Sequence, residues 1–172
     1  GSDLLNLAFS ADGHHLITCN YQDGLVCWGV DRREVVCRTP IFPLVTNRES
    51  AESFGLPVAF DGSSLVYWPQ IAPGEVWNLA DCERARQFPK PPRQVLAAAL
   101  SPASEWAATG DMNGEIELWR LPDGERIALG KHKGWVFTLA FGRDGRRLWL
   151  ASGGQDGRLR IWDVNNRRQH LE

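Results

Sequence analysis

Lys131-His132-Lys133-Gly134-Trp135-Val136 begins the clearest pattern in this 172-residue chain. It continues through Phe141-Gly142-Arg143-Asp144-Gly145, Ala151-Ser152-Gly153-Gly154-Gln155-Asp156-Gly157 and Leu159-Arg160-Ile161-Trp162-Asp163. Its parts return, more weakly, throughout the preceding sequence. Trp28, Trp77, Trp119 and Trp162 lie 49, 42 and 43 residues apart, each inside a short apolar run such as Leu25-Val26-Cys27-Trp28 or Ile116-Glu117-Leu118-Trp119. A unit of about 43 residues that repeats is one supersecondary element that cannot bury its own apolar face, so the chain reads as a stack of such units.

Two further markers fix what each unit contains. An apolar run ending in a turn dipeptide precedes every tryptophan: Ala8-Phe9-Ser10-Ala11-Asp12-Gly13, Ala59-Phe60-Asp61-Gly62, Ala99-Leu100-Ser101-Pro102 and Ala140-Phe141-Gly142-Arg143-Asp144-Gly145. Each reads as a strand entering a tight turn. A second turn follows at Asp23-Gly24, Pro73-Gly74, Asn113-Gly114 and Asp156-Gly157, and a fourth extended segment lies beyond each tryptophan. Four units of four short strands make an all-β chain. No window carries an apolar stripe at helical spacing long enough for a helix.

On these residues the chain resembles the WD-repeat β-propellers, strongly in the last unit and in a degenerate form in the second, which has Ala72-Pro73-Gly74 in place of an acidic turn. The resemblance implies a β-propeller of four-stranded antiparallel blades, four per chain, at about 3–38, 52–89, 93–130 and 131–170. Residues 1–2 and 171–172 read as non-native remnants, and the chain as a fragment of a longer protein. In the family a His, a Ser or Thr, an Asp and a Trp tie one blade together by hydrogen bonds. Carried over, these are His132, Ser152, Asp156 and Trp162 in the last unit. The third keeps Thr109, Asn113 and Trp119, with Arg93 or Gln94 near the histidine position. The first keeps Asp23 and Trp28, with Cys19 read at the hydroxyl position.

Composition bounds the function classes. Charged residues are 23% and the net charge is −2, which gives no electrostatic reason to expect nucleic acid or an anionic membrane. No run of eighteen apolar residues and no signal peptide is read, so the expectation is a soluble, cytoplasmic chain. Cys19, Cys27, Cys37 and Cys82 lack CxxC spacing; Cys19, Cys27 and Cys37 lie in apolar strands of one unit and read as buried thiols, with a disulfide or metal role as the alternative. The four histidines are His14, His15, His132 and His170. His132, Ser152 and Asp156 are the residue types of a hydrolytic triad, but the blade network accounts for all three, and a buried serine cannot meet substrate. No catalysis, cofactor or metal is expected.

The expected role is a scaffold for protein–protein interaction. A propeller closes on itself because the flanks of a blade are apolar. Four blades either make a very tight ring or supply half of an eight-bladed ring, which a second copy completes by placing its first blade on the other's last. The homodimer is the expected state; a structural or regulatory piece of a larger signalling protein is the alternative. Four tryptophans are unexplained by repeat position: Trp68, Trp106, Trp135 and Trp149. Trp135, Lys131, Lys133 and Arg143 are therefore candidate partner-binding residues, as an aromatic cluster rimmed by cations makes a recognition hot spot, and Trp68 and Trp106 belong either to that patch or to the core between blades. Arg158, Arg160, Arg167 and Arg168 read as a solvated basic face. The connector from Thr39 to Leu56 and the stiff Lys90-Pro91-Pro92-Arg93 segment are the main breaks.

Overall fold

The computed structural model describes residues 4–10, 13–20, 24–39, 58–60, 64–68, 73–78 and 83–171. The connector over 40–56 and Asp23 lie outside these residues. All regular structure among the described residues is β, in four sheets, each an antiparallel meander. The chain divides into two compact units, Gly1–Lys90 and Pro91–Glu172, joined inside the Lys90-Pro91-Pro92-Arg93 segment. Two blades lie in each, which makes the chain an all-β propeller fold of four four-stranded blades.

In the first unit, blade 1 is β1 (Leu4–Phe9), β2 (His15–Asn20), β3 (Gly24–Gly29) and β4 (Glu34–Thr39). Blade 2 is β5 (Val58–Phe60), β6 (Ser64–Tyr67), β7 (Glu75–Asn78) and β8 (Glu83–Gln87). Trp68, immediately after β6, is 0% exposed and stacks on Phe88 with ring centroids 5.2 Å apart and planes 5° from parallel. The Phe88 amide donates to the Gly74 carbonyl at 2.7 Å, and a Cβ on Gly74 would collide with the Trp68 indole. Trp68 is thus interior, which corrects its reading as a binding residue: a glycine floor and a ring partner enclose it. Cys37 is disulfide-bonded, a departure from the expected free thiols, while Cys27 is free and buried.

In the second unit, blade 3 is β9 (Val95–Leu100), β10 (Trp106–Asp111), β11 (Glu115–Arg120) and β12 (Arg126–Lys131), and blade 4 is β13 (Val136–Asp144), β14 (Arg147–Gly154), β15 (Leu159–Asp163) and β16 (Arg168–Leu171). One core joins them. Small residues of blade 3, Ala97, Ala99 and Ala108, leave room for Leu139, Leu150 and Trp162 of blade 4, with Ile116, Leu118 and Val136 completing the layer. The fit is close enough that Gly130 of β12 lies directly under the Trp162 ring, where a Cβ would overlap it. Trp106 is half-buried and packs against this core with Ile127 and Phe141.

Candidate functional site

Blade 4 holds a chain of buried polar groups reaching from its loops to its third strand. His132, in the connection from β12 to β13, is 0% exposed. Its Nδ1 lies 2.9 Å from Asp156 Oδ1 and its Nε2 2.8 Å from Ser152 Oγ, while the Trp162 indole N–H donates to the same Ser152 oxygen at 2.8 Å. With Nδ1–H donating to the carboxylate, Nε2 accepts from the serine hydroxyl, and every member has a partner. Asp156 also accepts the backbone amides of Lys133 at 3.0 Å and Arg158 at 3.2 Å.

Sequence reasoning missed one member. Arg160 Nη1 donates to Asp156 Oδ2 at 2.9 Å and touches His132 Nδ1, with its side chain 7% exposed. It is a buried counter-ion rather than part of a solvated basic face. The available signal was strand parity: Arg160 is two residues before Trp162 and so shares its core-facing side. Burial raises the Asp156 pKa, but the hydrogen bonds from His132, Lys133, Arg160 and Arg158 outweigh it and hold the carboxyl well below its ordinary 3.8.

The other blades keep fragments of this arrangement. In blade 3 the Trp119 indole donates to Thr109 Oγ1 at 2.9 Å, while Asp111 Oδ1 accepts the amides of Asn113 at 2.8 Å and Glu115 at 2.9 Å. Asn113 contributes its backbone amide; Asp111 is the acceptor. In blade 1 the Trp28 indole donates to Thr18 Oγ1 at 2.8 Å, so Thr18, not Cys19, takes the hydroxyl position. A constant offset identifies it, since Thr18, Thr109 and Ser152 each stand ten residues before their tryptophan. Blade 2 has Tyr67 there, and Trp77 donates instead to Glu75 Oε2 at 3.0 Å.

The candidate binding residues do not form one patch. Trp135 is half-buried at the start of blade 4, edge-on to Phe137 with centroids 6.1 Å apart and a 77° interplanar angle. The Trp135 amide donates to Gln155 Oε1 at 3.3 Å, and the Gln155 amide returns to the Trp135 carbonyl at 2.8 Å. Lys133 is exposed beside it, and Lys131 pairs with Glu115 at 2.7 Å. Arg143 lies near the far end of the nine-residue β13, roughly 25 Å away at 3.3 Å per residue, and pairs there with Glu105 at 3.6 Å. Phe137, 52% exposed, is the aromatic that sequence reading overlooked next to Trp135. Among the described residues no three His, Cys, Asp or Glu side chains converge as metal ligands would, and no helix is long and apolar enough to cross a membrane.

Comparison with known proteins bears on the fold and on the last repeat. Residues 125–163 match the family described as "WD domain, G-beta repeat". Apoptotic protease-activating factor 1 of Rattus norvegicus is 28% identical over 163 residues, covering 94% of this chain and 12% of that protein. The small ribosomal subunit protein RACK1y of Oryza sativa subsp. japonica is 28% identical over 93 residues, covering 54% of this chain and 27% of that one. The chain therefore spans only a minor part of these relatives. Among solved structures, the computationally designed Ika4 protein superposes with a TM-score of 0.71 at 17% identity, covering 95% of this chain and 92% of its own. The computationally designed Ika8 protein gives the same TM-score over 98% of this chain and 48% of its own. The repeat match falls on the blade that contains the His132–Ser152–Asp156–Trp162 relay, so residues 125–163 are similar to a WD repeat and the chain as a whole is similar to parts of WD-repeat proteins.

Proposed function

We propose that this chain is a non-catalytic scaffold that holds a protein or peptide ligand at the rim formed by Trp135 and Lys133, and that a second copy completes its ring as an eight-bladed homodimer. The observation that carries the dimer is a matched pair of apolar faces on the first and last blades. Across blade 4 the register row Phe141, Leu150, Trp162 faces the core shared with blade 3. The same row in blade 1 is Phe9, Leu16, Trp28 and Val35. There Phe9 is 59% exposed, and Trp28 and Val35 are each 36% exposed. On the opposite face of blade 4, Phe137 and Leu159 are 52% and 59% exposed. Each face is the kind that blades bury against one another, and exposed apolar patches of this sort mark association surfaces. The match to Ika4 over nearly its whole length and to Ika8 over about half fits blades usable in a chain of either length.

The polypeptide mass is 19.3 kDa. Light scattering on a size-exclusion column is expected to give twice that value, held across dilution. A mass that stays at one chain sinks the dimer and favours the alternative, a structural or regulatory piece whose apolar faces meet other blades of a longer protein. Trp135→Ala is expected to abolish ligand capture with the mass unchanged; loss of the assembled mass instead would make Trp135 structural. A cytoplasmic location is the part of this reading that the Cys37 disulfide weighs against, since such bonds persist in oxidising compartments.

A further inference from the structure

The end of blade 4 opposite Trp135 concentrates guanidinium groups. The turn between β13 and β14 carries Arg143, Arg146 and Arg147, and the turn between β15 and β16 carries Arg167 and Arg168, all exposed. The whole chain has a net charge of −2, so this density is local. Two acids lie within the group: Asp144 stands opposite Arg147 across the turn from β13 to β14, and Arg147 and Arg168 both act on the Asp163 carboxylate. Asp163 is buried and accepts from the Asn166 amide at 3.0 Å and the Asn166 side chain at 2.7 Å. Among the described residues no carboxylate pairs with Arg146 or Arg167.

The backbone supplies a second observation. Arg167 has φ 53°, in the left-handed region that favours glycine. Five residues after Trp119, at the equivalent place in blade 3, stands Gly124 with φ 77°. Five residues after Trp28, blade 1 holds Arg33 with φ 55°, so two blades carry an arginine at this turn tip where blade 3 carries glycine. The left-handed tip is a property of this turn in the repeat, and in blade 4 it presents Arg167 to solvent beside Arg168.

We infer that this end of blade 4 is a docking surface for a short acidic segment of another polypeptide, whose carboxylates are received by Arg146, Arg147, Arg167 and Arg168. Guanidinium forks match carboxylates in a bidentate geometry. The two turns are two strand spacings apart, roughly 10 Å, and same-face side chains of an extended segment recur about every 7 Å, so two or three carboxylates span the surface. Nucleic acid fits less well. A patch this small meets only about two or three phosphates. Single strands also require open aromatic platforms, and Trp149, near this end of the sheet, is half-buried and covered by His170 at 4.9 Å.

The test is fluorescence anisotropy of a labelled decapeptide of alternating glutamate and serine in dilute buffer. Saturable binding is expected, weakened at least about tenfold by Arg146→Glu with Arg167→Glu. The charge-matched pair Lys90→Glu with Arg93→Glu, at exposed positions outside blade 4, is expected to stay within about twofold. Arg167→Gly separates the side chain from the turn: weaker binding with an unchanged or higher melting temperature supports the proposal. Absence of saturable binding, an equal loss in the control pair, or tighter binding of a labelled oligothymidine than of the peptide overturns it. None of these outcomes depends on the Trp135 rim or on the oligomeric state.

Discussion

Ser152 shows how much one atom can hold. Its Oγ stands between the Trp162 indole and His132 Nε2, all three buried. Ser152→Ala leaves a donor and an acceptor without partners in the interior, and each such orphan costs about 1–3 kcal/mol. The urea midpoint is therefore expected to fall sharply, and Ser152→Thr is expected to recover part of the loss, because threonine fills this role in blades 1 and 3. Asp156 gives the pH dependence. Its carboxyl is held below the ordinary 3.8 in the folded chain, so its stabilising contribution is complete above about pH 4 and is lost as pH falls towards the folded value. Acid unfolding followed by circular dichroism is expected to steepen below pH 4, and Asp156→Asn to flatten that limb. His132, Ser152, Asp156 and Trp162 were legible as residue types at family spacing. Arg160 was hidden because charge was read ahead of parity, and Thr18 because Cys19 sits next to it in an apolar strand.

Strands and turns were legible for a different reason: tryptophan period and turn dipeptides are local signals, and each sheet here is a meander whose neighbours are consecutive in sequence. Strand length was not. β13 and β14 run nine and eight residues, carrying Arg143 and Trp135 to opposite ends of one blade, although the sequence suggested one cluster. Trp68 was equally ambiguous from sequence, since a tryptophan beside a proline fits both a core and a rim, and only Gly74 and Phe88 across the sheet distinguish them. The turn between β10 and β11 shows how one element seats another. Gly114 has φ 89°, its carbonyl accepts from the His132 amide at 3.0 Å, and a Cβ there would strike the His132 and Gly134 carbonyls. Gly114→Ala combines left-handed strain with a clash against backbone, each about 1 kcal/mol or more. Thermal melts of the variant are expected to show a loss larger than that of Gly145→Ala, where φ is 56° but the space is open.

At the scale of the whole molecule, a ring closed by two copies has two identical, head-to-tail interfaces. Phe9→Asp and Phe137→Asp should each damage both and leave single chains. Mixed together, the two variants can still form one undamaged contact, between the Phe137 face of the first and the Phe9 face of the second, so light scattering of the mixture is expected to show partial return of the doubled mass. A contact in which each face meets its own copy would give no such rescue. Another consequence follows from where the ion pairs sit. Arg160 and Asp156 are shut away from solvent with side chains 7% and 6% exposed, whereas Arg120–Asp123 and Lys131–Glu115 of blade 3 face water. Mobile ions screen the second kind and scarcely reach the first. Raising ionic strength therefore acts as a selective solvent for blade 3, loosening its outer strands while the relay in blade 4 keeps its attraction, so the two halves of one core would answer the same electrolyte differently.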